Sequence, residues 1–262
     1  MLYQPYETEI SESYLSKVFG KVGGQICLLG GWAVYLHVNK NFSSANGKNY
    51  VGSKDIDLGF HVEKTWSDSM LKESQFAKSA KALEEFGFEP LGFRYVQYFH
   101  TETRKPLKGE EVKMTPMHMM FALYIDLIVD NIHPRTKNIA GFDPIDEPML
   151  SLVFNDKKFK TTNVYGADVM LPHPEVLLAT KLNSVVNRDK EHKRIKDIAD
   201  IYALLWYSDI KIKELKKRLL SIYPKEKIAE TVSSFTDNEL GMVSQVLDVD
   251  KAEIKRVFAE LL

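Results

Sequence analysis

The sequence predicts an α+β protein: a mixed β-sheet core flanked by helices over residues 1–165, followed by a mainly helical C-terminal domain over residues 166–262. Three observations carry that prediction. Short apolar or alternating runs at 25–29, 55–61 and 119–129 read as strands. Beyond about residue 165, apolar residues recur instead at helical spacing. A chain of 262 residues is also long enough to bury one large core or two modest ones.

Composition narrows the function classes. Lys and Arg number 35 against 36 Asp and Glu, a formal charge of -1, so no global positive field points to nucleic acid. The one cysteine, Cys27, lies in the apolar run Ile26–Leu29 and reads as a buried thiol; it offers neither a disulfide nor a cysteine-based zinc site. No stretch approaches the roughly 18 apolar residues that span a bilayer, and the first residues lack a basic-then-apolar pattern. The expectation is a soluble, cytoplasmic protein without a membrane partner.

In chain order, Ile10, Tyr14, Leu15, Val18 and Phe19 predict a short helix capped by Gly20. Strand 25–29 runs into Gly30-Gly31, and a helix follows that ends near His37. The Asn-, Ser- and Gly-rich segment 39–52 predicts an exposed, mobile loop. From Asp55 to His61 the residues alternate, which sends Asp55 and Asp57 the same way. A helix is expected over 68–86, strands over 88–93 and 95–99, and a turn over 104–109. Met114, Met117, Met119 and Met120 read as core filler. Met119–Val129 predicts a buried strand, and a short strand is expected near 168–171. Helices are expected at 174–187, around 195–205, and at 210–220, 225–246 with a break near Thr236, and 250–262, with capping boxes at Thr236/Glu239 and Asp250/Glu253.

Chemistry concentrates at three places. Gly30-Gly31 allow close backbone approach, and the amides of the following helix start can hold an anion, although such a pair is more often an ordinary turn. Asp55-x-Asp57 suits magnesium, which takes carboxylates together with substrate phosphates; an isolated pair is more often an exposed strand face. Asp126 in an otherwise apolar strand needs a partner or a metal. Together, Asp55, Asp57 and Asp126 would hold two metals, one for the attacking oxygen and one for the leaving phosphate oxygen.

This arrangement resembles the nucleotidyltransferase superfamily of the DNA polymerase beta type, whose signature is Gly-Gly or Gly-Ser after an apolar strand, then Asp-x-Asp, then a third Asp. The interval from Gly31 to Asp55 exceeds the family's usual one and implies an insertion at 39–52. Downstream, Pro174–Leu182 and Arg194–Ile201 resemble the lysine and Lys-Asp motifs of the abortive-infection toxin branch, the AbiEii type. The resemblance implies a nucleotidyltransferase core at 1–165. It further implies a magnesium-dependent transfer of a nucleoside monophosphate from a nucleoside triphosphate (NTP) to an acceptor. Gly30, Gly31, Ser53 and Lys181 would bind the nucleotide, with Asp55, Asp57, Asp126 and Asp197 catalytic. In this branch the acceptor is a tRNA end or a protein side chain, and a cognate antitoxin is expected. A small antibiotic-type acceptor, or a non-catalytic nucleotide-binding regulator on the same fold, stands as the alternative. An interaction module using the C-terminal helices is a third.

Overall fold

The computed structural model describes residues 2–22 and 26–262, so Gln25 of the expected first strand lies outside the described residues. The apolar spacing near the N-terminus forms α1, Pro5–Val22, which runs through Gly20 and buries Ile10, Tyr14, Leu15, Val18 and Phe19. Next come β1, Cys27–Leu28, and α2, Gly30–Asn46. Cys27 is fully buried, and burial pushes its thiol pKa well up, as the apolar run implied.

The expected loop at 39–52 is a finding in the opposite direction. Most of it is helix, with Phe42 and Tyr50 buried. The Phe42 ring packs edge-on against Tyr50 at 5.2 Å and Tyr207 at 5.0 Å. The asparagines that read as loop composition are making specific bonds: Asn39 accepts from the Tyr50 N–H at 2.7 Å, and Asn41 donates to the Tyr207 carbonyl at 2.9 Å. Residues 39–46 of the extra length before Asp55 are therefore packed helix and not loop.

Alternation produces β2, Ile56–Phe60, with Ile56, Leu58 and Phe60 buried. The expected helix at 68–86 is divided into α3, Asp68–Glu73, and α4, Gln75–Glu85. Ser74 makes the break: its Oγ donates to the Leu71 carbonyl at 2.6 Å and accepts from the Ala77 N–H at 3.2 Å. Strands β3, Glu89–Leu91, and β4, Arg94–His100, form a hairpin, and β5, Pro106–Leu107, pairs with β4 where a plain turn was expected. The five-residue α5, Glu110–Met114, buries nothing; Met114 and Met117 are 81% and 86% exposed, so they are not core filler.

Strand β6, Met120–Val129, is not buried on both faces as its composition suggested: Ala122, Tyr124 and Ile128 are half-exposed. After the short α6, Lys137–Ala140, β7, Ile145–Asp146, and α7, Ser151–Phe154, come β8, Phe159–Val164, and β9, Ala167–Pro172. Polar Lys160, Thr161, Thr162 and Asn163 hid β8 from the sequence. The sheet order is β3-β4-β6-β2-β1-β9-β8, with β5 on β4 and β7 on β6. Pairing is mixed: β2/β6 and β1/β9 are parallel, whereas β1/β2 and β4/β6 are antiparallel.

Helices α8, Pro174–Val185, α9, Glu191–Tyr207, α10, Ile212–Leu220, α11, Lys225–Ser233, α12, Asp237–Leu247, and α13, Lys251–Leu261, complete the α+β architecture. Pro174 opens α8 at the position where its missing N–H costs least. The capping box at Thr236 and Glu239 is complete. At Asp250 only half of one forms, because the Glu253 carboxylate instead accepts from the Tyr202 hydroxyl at 2.6 Å.

Contacts group the chain into a sheet unit, Tyr3–Trp32 with Ser53–Pro172, and a helical unit that joins Ala33–Gly52 to His173–Leu262. The aromatic contacts of Phe42 and Tyr50 account for the return of residues 33–52 to the helical unit. No helix among the described residues is long and apolar enough to cross a membrane.

Candidate functional site

In the sheet unit, strand pairing determines which side chains meet. Asp57 of β2 stands directly opposite Asp126 of β6 in a parallel ladder, so both carboxylates leave the same face on strands about 4.8 Å apart. Asp126 is 6% exposed and Asp57 half-buried. Asp55 lies in the bend just before β2, also half-buried. Ser53 is buried two residues earlier.

Gly30 meets this pair through its backbone. Its φ is +59°, and a Cβ there would stand 1.7 Å from the Asp57 Oδ2. The Leu29 N–H also donates to the Asp57 carbonyl at 2.9 Å. Glycine at 30 is therefore required twice, for its conformation and for the carboxylate packed against it. Gly31 is buried in the first turn of α2.

A residue not singled out from sequence completes the group. Arg94 Nη2 donates to Asp126 Oδ2 at 3.1 Å, and its Nε lies 3.1 Å from Oδ1. The guanidinium sits 4.6 Å from the Phe93 ring centroid and 5.0 Å from that of Tyr124. Arg94 falls between the two runs read as separate strands, at the start of β4. The one signal available in the sequence was a lone cation at a strand start; its partner is visible only once β4 is paired with β6.

In the helical unit, Lys181 of α8 and Asp197 of α9 do meet. Lys181 Nζ donates to Asp197 Oδ1 at 2.6 Å and lies 2.7 Å from Asp200 Oδ2. Lys196 Nζ reaches Asp200 Oδ1 at 2.5 Å, the Tyr50 hydroxyl donates to the same oxygen at 2.8 Å, and Arg188 Nε donates to Asp197 Oδ2 at 2.6 Å. Lysine on a helix and a Lys-Asp pair are ordinarily solvated, yet here Lys181 is 8% exposed and Asp197 2%.

Burial acts against the charges of Lys181, Asp197 and Lys196, and its balance with their partners differs among them. For Lys181, burial lowers the pKa but Asp197 and Asp200 outweigh it, leaving the ammonium well above its ordinary value. For Asp197, burial raises the pKa but Lys181 and Arg188 outweigh it, and the carboxyl ends below its ordinary range. Lys196 goes the other way, because burial, aided by the charge of Lys181, outweighs Asp200. Asp200, Lys196, Arg188 and Tyr50 were not singled out from sequence. The i,i+3 spacing of Asp197 and Asp200 was available as a signal, whereas Tyr50 lay in the segment read as a loop.

Among the described residues, no three His, Cys, Asp or Glu side chains gather into a metal-holding group. The donor chemistry at Asp57 and Asp126 nonetheless fits magnesium, because two hard carboxylate oxygen donors leave the same face of the sheet. Magnesium commonly uses one or two carboxylates and takes further oxygens from substrate phosphates.

A sequence-family profile described as nucleotidyl transferase AbiEii toxin, type IV TA system, matches residues 46–258. That span includes Ser53, Asp55, Asp57, Asp126, Lys181 and Asp197, while Gly30 and Gly31 precede it. A crystal structure of an antigenic nucleotidyltransferase-like protein from Paracoccidioides brasiliensis is 16% identical, with a TM-score of 0.43 over 94% of this chain and 93% of that one. No match was found among curated proteins.

Proposed function

We propose that this chain, which belongs to the AbiEii nucleotidyl transferase toxin family, transfers a nucleoside monophosphate from an NTP to an acceptor oxygen, with release of pyrophosphate. Membership of the family makes it a nucleotidyltransferase; the metal, the acceptor and the residue roles are our reading. The observation that carries that reading is the in-register pair Asp57 and Asp126, with the Gly30 backbone packed on the first carboxylate.

Asp57 and Asp126, joined by Asp55, would hold magnesium. When bound, the metal supplies activation of the attacking oxygen and charge stabilisation at the leaving phosphate oxygen. The chain's own part is positioning. Amides at Gly30 and Gly31 open a 17-residue helix and suit phosphate oxygens, with Ser53 contributing a hydroxyl. Lys181 is our candidate nucleotide-binding residue in the helical unit, with Asp197 holding it and Arg188 in place there.

The acceptor we assign is a tRNA end or a protein side chain, and type IV membership implies a cognate antitoxin as genetic partner. Incubating the protein with labelled NTPs, magnesium and cell extract, then separating RNA, protein and small molecules, tests the reading. Label should appear in the RNA or protein fraction and disappear with Asp55→Ala. Label in small molecules alone would assign an antibiotic-type acceptor, and full activity of Asp55→Ala would overturn the site.

A further inference from the structure

We infer that Arg94 is a positioning residue that fixes the orientation of the Asp126 carboxylate, an inference that rests on the nucleotidyl-transfer reading above. Three neighbouring strands set Arg94, Asp126 and Asp57 in a row across the sheet: β4 pairs antiparallel with β6, and β6 pairs parallel with β2. Arg94 approaches Asp126 from the side opposite Asp57. Its Nη2 donates to Oδ2 at 3.1 Å, and its Nε stands 3.1 Å from Oδ1 as an ion-pair contact, so the guanidinium holds one carboxylate oxygen by a hydrogen bond and lies against the other.

The guanidinium is itself constrained. Phe93 and Tyr124 present rings to the guanidinium, and the side chain is 18% exposed. Tyr124 is two residues before Asp126 on β6 and shares its face, so the strand that carries the carboxylate also carries part of the clamp. A lysine could supply the charge but not the flat face that the rings contact. A cation on Asp126 also competes with a divalent ion for the same oxygens. An orienting role therefore predicts that loss of Arg94 separates turnover from metal binding.

The test compares full-length wild type with Arg94→Gln, Arg94→Lys and Asp57→Asn. It follows labelled-NTP transfer with extract as acceptor, Mn2+ binding by calorimetry, and thermal unfolding. Arg94→Gln should lose about 10- to 100-fold in apparent kcat, the scale for removing a residue that orients a ligand. Its apparent KM for NTP should stay within about threefold, Mn2+ should bind no more weakly than in wild type, and Arg94→Lys should fall between. Wild-type turnover by Arg94→Gln, or parallel loss of Mn2+ binding and thermal stability, overturns the inference. If Arg94→Gln does not fold, Arg94→Lys decides: reduced kcat with unchanged Mn2+ binding supports it, and wild-type kcat overturns it. Activity retained by Asp57→Asn would instead sink the nucleotidyl-transfer reading itself.

Discussion

The sheet unit and the helical unit both bury carboxylates, and they treat them in opposite ways. In the sheet, parallel register forces Asp57 and Asp126 side by side, Asp55 lies close in sequence, and Arg94 engages one of the three. In the helical unit Asp197 and Asp200 are met by Lys181, Lys196 and Arg188, with the Tyr50 hydroxyl as a further donor. Adjacent carboxylates repel, so the sheet group carries a free-energy cost that a bound cation would relieve. The helical cluster supplies its own counter-charges and gains stability from them only while all partners remain. On the proposed function the sheet carboxylates serve a ligand, whereas those of the helical unit are met by the chain's own cations, although both groups consist of Asp and basic side chains.

Substitutions can break or sharpen that contrast. The largest effect is expected for Asp57→Asn, which should reduce labelled-NTP transfer by about 10³-fold or more, equivalent to roughly 4 kcal/mol in the barrier. Its urea midpoint should not fall, since a repelling charge has been removed. A fall in stability with activity intact would reverse the assignment of the sheet site. Asp200→Leu should do the converse, lowering unfolding free energy by about 3–5 kcal/mol, because Lys196 is left buried without its partner and Lys181 loses one of two. Urea unfolding at neutral pH measures this, and a variant as stable as wild type would show that the cluster is not structural.

Gly30→Ala comes next, at roughly 1–3 kcal/mol for the positive φ alone. The added Cβ also meets the Asp57 carboxylate, so activity should fall as well. Unimpaired transfer by this variant would separate the Gly-Gly backbone from the chemistry.

The smallest effect is one of pH. The folded pKa of Asp197 is lowered, so its contribution is complete above the unfolded carboxylate value of about 3.9 and is lost as pH falls through the lower folded value. Stability measured from pH 6 down to acid should therefore decline more steeply in wild type than in Asp197→Asn. Parallel curves would remove Asp197 from the ion cluster's energetics.

Much of this was legible in the chain because it depends on local periodicity. The alternation at 56–60, the helix-spaced leucines of α8 and α9, Pro174 at a helix start and the Thr236/Glu239 box all express preferences acting within a few residues. The motif Asp55-x-Asp57, the charge of Asp126 in an apolar run, and the family resemblance were likewise properties of order along the chain. Reading failed where the deciding partner was distant. Asn39 and Asn41 looked like loop residues because their partners, the Tyr50 amide and the Tyr207 carbonyl, could not be seen, and β8 raised no expectation because its polar residues gave no apolar pattern before its pairing with β9 was known.

Sequence by itself determined the residue types available for chemistry, the α+β class and the family. Only tertiary structure decided which charges meet: that Asp57 faces Asp126 across a parallel ladder, that Arg94 pairs with Asp126, and that Lys181 is held between Asp197 and Asp200. Local preference acts between near neighbours in the chain, whereas strand register and helix packing bring together groups 16 to 150 residues apart, and the electrostatics of both clusters depend on those distances in space.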